Sequence, residues 1–133
     1  MNWKLIFLLS FFGLGMGVAT TYVVPTKAEA LVWLPIFIIS AWAIAKKCEG
    51  RFFLNGFVLG IVDTVWNTGT HIYLYHPYLA HHAREAELMV KAGAAASETA
   101  KLFMIAVGIV SAIVSGILLG SFSLVGGKVT AGR

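Results

Sequence analysis

Apolar runs of bilayer length occupy most of this chain and leave it few ways to fold. Leu5 to Val24 holds twenty uncharged residues between Lys4 and Pro25, which at about 1.5 Å rise per residue matches a hydrocarbon core of about 30 Å. A second run, Ala30 to Ala45, is shorter and ends on Lys46 and Lys47, whose stems reach back to the headgroup level. Trp33 and Trp42 near its ends fit an aromatic belt, and Pro35 is read as marking its first helical turn. A third run extends from Phe52 to Tyr75, and a fourth from Leu102 to Val125, between Lys101 and Lys128. The pattern predicts an all-α polytopic membrane protein. A single transmembrane domain over residues 1–133 would hold a bundle of four helices, at 5–24, 30–45, 52–75 and 102–125, with an outer loop at 76–101.

Hydrophobic residues make up 59% of the chain and charged residues 12%, which leaves no room for a separate soluble domain. The net charge of +4 comes from Lys and Arg at the ends of apolar runs, not from a basic surface interleaved with aromatics. The lipid bilayer is therefore the expected partner, and no nucleic acid is expected. With Cys48 as the only cysteine, an internal disulfide, a Cys-x-x-Cys centre and a cysteine zinc cluster are impossible within one chain. Lys4 and the triplet Ala28-Glu29-Ala30 resemble the flanks of a cleaved leader. The apolar run exceeds the usual leader core of about 7 to 15 residues, so the first helix is expected to be retained.

Counting Lys and Arg on alternate sides puts Lys4, Lys46, Lys47, Arg51, Lys128 and Arg133 together, against Lys27, Arg84, Lys91 and Lys101. Lys46, Lys47 and Arg51 crowd one very short loop, where the positive-inside rule acts most strongly. Both termini are expected in the cytoplasm. Within the outer loop, Leu79, Ala83, Ala86 and Val90 recur at near-helical spacing opposite Arg84, Glu85 and Glu87, predicting one short amphipathic helix over 78–91 on the membrane surface or capping the bundle. Gly93 to Ala96 reads as its stop, and Ser97 as the N-cap of the fourth helix.

Small residues line three of the helices. Ser10, Gly13, Gly17 and Thr21 share a face of the first, Gly56 and Gly60 form G-x-x-x-G in the third, and Gly108, Ala112, Gly116 and Gly120 repeat every four residues in the fourth. Such faces let backbones approach closely where lipid offers no hydrophobic drive. They are expected to be helix contacts, within the chain or between copies in a homo-oligomer.

The third helix carries the sharpest chemistry. At about 100° per residue, Gly56, Gly60, Asp63, Asn67, Thr70 and His71 fall within one arc of about 100°. A charge at bilayer depth costs roughly 2.5 to 3.5 kcal/mol, so Asp63 is expected to face inward. The polar ladder from Asp63 through Asn67 and Thr70 to His71 suits a proton or cation site, a recessed metal site or a pocket for a small ligand. The competing reading is structural: a protonated Asp63, or one hydrogen-bonded to Ser or Thr of a neighbouring helix, acting with Asn67 as interhelical glue.

All four histidines, His71, His76, His81 and His82, fall within twelve residues, with Glu85 close behind. Imidazole binds zinc, copper, nickel or iron, so a divalent metal is the one cofactor this set suggests. Their spacing matches neither H-E-x-x-H nor an H-x-x-x-H pair, and Tyr73, Tyr75 and Tyr78 mark the same zone as an interfacial belt. Catalysis is not favoured: no G-x-S-x-G occurs, and Ser111, Ser115 and Ser121 belong to packing faces. The small multidrug transporters need a glutamate in the first helix, which is absent from this run.

The segments Phe53-Leu54-Asn55-Gly56-Phe57, Trp66-Asn67-Thr68-Gly69-Thr70-His71, Tyr78-Leu79-Ala80-His81-His82 and Glu85-Ala86-Glu87-Leu88-Met89, with the opening Met1-Asn2-Trp3-Lys4 and the turn Ala45-Lys46-Lys47-Cys48, resemble small uncharacterised bacterial integral membrane proteins. That resemblance implies the bacterial inner membrane and a polar motif in the third helix, and implies no activity. The function expected from the sequence is non-enzymatic: a helix-packing component, as a homo-oligomer or a subunit of a membrane assembly. The alternatives are a proton, metal-cation or small-ligand transporter using the Asp63-Asn67-His71 face, and a His-dependent membrane metalloenzyme.

Overall fold

The computed structural model describes residues 1–94 and 96–131, and every ordered element is helical. Arg133, counted above toward orientation, and Ala95, in the expected stop before the last helix, lie outside the described residues. The helices are α1 (Trp3–Leu9), α2 (Phe11–Tyr22), α3 (Thr26–Lys47), α4 (Phe52–Tyr73), α5 (Tyr75–His81), α6 (Ala83–Lys91) and α7 (Ser97–Ala131). Three spans, Trp3–Tyr22, Thr26–Lys47 and Ser97–Thr130, are long and apolar enough to cross a membrane. The 22 residues of α4 give it the same length as α3, but Asn55, Asp63, Asn67, His71 and four further Gly and Thr in its second half make it too polar to join them.

The first span is interrupted once, at Ser10 between α1 and α2. Ser10 keeps right-handed dihedrals, its backbone N–H bonds Ile6 O, and its hydroxyl donates to Phe7 O at 2.8 Å. Such hydroxyl back-bonding inside a helix commonly bends it. Asn2 caps the start, its side chain accepting the Leu5 N–H, so the helix occupies 3–22 and not 5–24. The second helix starts at Thr26, directly after the extended Pro25, and places Pro35 in its interior instead of its first turn. The third stops at Tyr73, and the fourth runs through 35 residues, about 50 Å, well past the 24 expected. Ser97 is its first helical residue and not its cap.

The connection between α4 and α7 holds two helices where one was expected. Backbone dihedrals at His82 (φ −128°, ψ 64°) break the segment between α5 and α6. At the end of α6, Gly93 takes φ +75°, with its N–H on Val90 O and the Ala94 N–H on Met89 O. That is the paired bonding of a glycine-terminated helix. Met89, Ala94, Ala100, Met104 and Tyr75 form an apolar cluster that seats this cap on the starts of α5 and α7.

α4 lies between α2 and α7, and α7 lies between α4 and α3. Glycines set these distances. A Cβ added at Gly60 would stand 2.7 Å from Ser115 O and 2.8 Å from Gly116 Cα. One at Gly116 would stand 2.9 Å from Phe57 O, and one at Gly120 would stand 2.9 Å from Phe53 O. Gly56 meets Ser123 Oγ and the backbone of Leu119 and Gly120, Gly108 meets Thr68, and Ala112 is buried. On the other side, Gly13 touches the Asp63 backbone and Gly17 touches Thr70 and Asn67. The face that the sequence unites is thus divided: Gly56 and Gly60 meet α7, whereas Asp63, Asn67 and Thr70 meet α2.

The exterior is unlike that of a water-soluble bundle. Phe7, Leu8, Leu31, Ile38, Ile109, Val110 and Leu118 are exposed, while Thr20, Thr21, Ser40, Asn55, Asp63 and Ser123 are buried beside an apolar core that includes Leu5, Ile44, Leu59 and Leu119. A belt of that extent is far larger than the apolar patches of soluble monomers.

Candidate functional site

Asp63 sits midway along α4 with 1% of its surface exposed. Neither carboxylate oxygen has a hydrogen-bond partner, and Asn67 Oδ1 also has none. The backbone N–H of Gly13 lies toward the carboxylate but is donated to Ser10 O at 3.0 Å. Hydroxyls of the first span and of α4 are spent on their own helices: Thr64 on Gly60 O (2.9 Å), Thr21 on Gly17 O (2.7 Å), Thr70 on Trp66 O (2.8 Å) and Ser10 on Phe7 O. The hydrogen-bonded form of the glue expectation is therefore corrected: Asp63 binds no Ser or Thr of a neighbouring helix. A helix interior offers each hydroxyl an acceptor one turn back, and that local bond forms first.

Two turns further, His71 is 7% exposed and its Nε2 lies 2.6 Å from Thr20 Oγ1, which lies 2.7 Å from Met16 O. All three atoms are satisfied when His71 Nε2–H donates to Thr20 and Thr20 donates to Met16. Thr20 was not singled out in the sequence, although Gly13, Gly17 and Thr20 keep i, i+4, i+7 spacing on one face.

Above His71 lies a stack of three rings. The Tyr78 ring is 4.2 Å from that of His71 and 4.3 Å from that of His82, both nearly parallel. His82 is 3% exposed; its Nδ1–H bonds Tyr78 O at 2.9 Å and its Nε2 has no partner. This local bond belongs to the turn that breaks α5 from α6. Burial, then the charges of Glu85 and Glu29, push the Tyr78 phenol up to about 12. The sign follows: a phenol harder to ionise in the folded than in the unfolded chain contributes stability that is complete below pH 10 and lost as pH rises toward 12. Phenolate absorbance of Tyr78→Phe against the parent should thus differ only late in an alkaline titration. A Tyr78 transition at the ordinary tyrosine value would contradict the stack.

The five residues considered for a metal do not converge. His81 is exposed, with Nδ1 on Pro77 O and its ring edge-on to Tyr22. His76 is exposed beside Tyr75, and Glu85 accepts from Thr26 Oγ1 at 2.8 Å. Among the described residues no group of three His, Cys, Asp or Glu is placed to hold a metal ion. The reason is local: α5 and α6 turn His76 and His81 outward while His71 and His82 close on Tyr78. Burial also pushes the Cys48 thiol up, away from the reactive thiolate.

Comparison with protein-family models, curated proteins and solved structures finds no match to this chain.

Proposed function

We propose that this chain is a four-span integral membrane protein that binds a proton at Asp63 and couples it to the contact between α2 and α4. One observation carries the reading: a carboxyl group with 1% exposure and no hydrogen-bond partner belongs to the residue whose backbone packs against Gly13 of α2. A carboxylate left there would be an unpaired buried charge, whereas a carboxyl that has taken up a proton is neutral and fits. Loss of the proton returns a charge to the contact and favours its opening. Asn67 and the His71–Thr20 pair continue the polar face toward the outer end. The lysine and arginine distribution supports an orientation with both termini in the cytoplasm, and the bacterial inner membrane rests on the sequence resemblance alone.

The reading as a packing component, alone or as a homo-oligomer, draws on the interleaved Gly56, Gly60, Gly116 and Gly120. The two part at Asp63. In infrared difference spectra of purified protein taken across a pH titration, the proton-binding reading expects a protonated-carboxyl C=O band that titrates in the parent and is missing from Asp63→Asn. A band unchanged by the substitution sinks it.

A further inference from the structure

The end of the bundle opposite the ring stack carries a cleft of about 620 Å³. It opens between the start of α1, the end of α3 and the start of α4, and Lys4, Lys47 and Arg51 line it with Glu49 as the single acid. All three cations are exposed, and none makes an ion pair; the two ion pairs among the described residues, Lys91–Glu87 and Lys101–Glu98, lie at the other end. Lys46 is turned away, over the Trp42 ring at 4.4 Å. The floor is held firmly. Asn55 is 1% exposed, its Oδ1 accepting the Asn2 N–H at 3.0 Å and its Nδ2 donating to Arg51 O at 2.9 Å. Arg51 is held at φ +50°, in the left-handed region that a long side chain rarely adopts.

We propose that this cleft binds the phosphate headgroup of an anionic phospholipid. Three unpaired cations against one carboxylate give it a net positive lining, and its volume falls in the range of small-ligand sites, roughly 300 to 1,000 Å³. The lipid source is favoured over free phosphate because Trp3, 61% exposed, and Phe7, 60% exposed, continue from the rim into the apolar belt, where acyl chains would lie. Basic pockets between membrane helices on the cytoplasmic side recognise acidic headgroups in this way. The inference rests on the membrane-spanning part of the reading above and is independent of Asp63.

The test is native mass spectrometry of detergent-purified protein titrated with phosphatidylglycerol or phosphatidylcholine, preceded by carbonate extraction of membranes. The expected result is one retained phosphatidylglycerol per chain, weakened about tenfold or more in Lys47→Gln/Arg51→Gln, because that pair supplies two of the three cations of the lining. Lys27→Gln/Lys128→Gln, with the same charge removed elsewhere, should bind like the parent, and so should Asp63→Asn. Equal retention of phosphatidylcholine, equal loss in the control pair, or displacement by equimolar inorganic phosphate overturns the assignment. A chain extracted by carbonate would instead overturn the membrane reading beneath it.

Discussion

Gly60→Leu is expected to prevent recovery of folded protein, with Gly60→Ala lowering the midpoint of thermal unfolding in detergent and Gly69→Ala leaving it unchanged or raised. The cause is what each new Cβ would meet. At Gly60 the obstacles are Ser115 O at 2.7 Å and Gly116 Cα and N at 2.8 Å, all backbone atoms of α7, so relief requires moving a whole helix. Overpacking of this kind costs about 1 to 3 kcal/mol and sometimes more. Leucine adds three further carbons to the same gap. Against a total stability of about 5 to 15 kcal/mol, that is a large share. At Gly69 nothing lies within 4 Å, so the substitution only improves helix propensity, by about 0.4 to 1 kcal/mol. Tryptophan fluorescence during heating separates the three. A Gly60→Leu protein that melts with the parent would mean that α4 and α7 do not pack as described.

The hydropathy of the sequence locates the helices but not their ends, because it registers only the apolar part of each. α7 gains Ser97–Lys101 and Gly126–Ala131, and α3 gains Thr26–Glu29 and Lys46–Lys47, where the helix continues past the apolar zone on residues that water tolerates. Pro35 is accommodated inside α3, since an N–H missing from one turn is tolerable when the rest of a 22-residue helix is intact. The small-residue spacing in α4 and α7 was visible, but which helix each glycine meets was not. Gly56 and Gly60 point to α7 and Asp63 to α2 because neighbours change along a crossing helix, and an angular plot of one helix contains no neighbours. Thr20 belongs to the site through a contact of 51 residues' separation, which no local pattern encodes, and Tyr78 meets His71 across the break at Leu74 that ends α4. The histidine cluster failed as a metal set for the same reason: closeness along the chain placed two rings inward and two outward.

Asp63→Leu separates function from packing most sharply, because the two readings give it opposite signs. If Asp63 is interhelical glue, its removal should cost stability, about 0.6 kcal/mol on average and up to about 1.7 for such contacts in membrane bundles. If it is a proton-binding group kept where nothing hydrogen-bonds it, leucine removes two orphaned oxygens and puts two methyl groups on the same branched skeleton. Replacing buried ionic groups with apolar residues of similar volume is often neutral or stabilising by about 1 to 4 kcal/mol. The expected result is therefore a higher unfolding midpoint together with loss of the titrating carboxyl band. Asp63→Asn should keep the shape and lose the band, with a smaller change in stability because its amide also lacks partners there. A destabilised Asp63→Leu protein would show that the carboxyl group holds α2 against α4, and the proton would then have no work to do at this position.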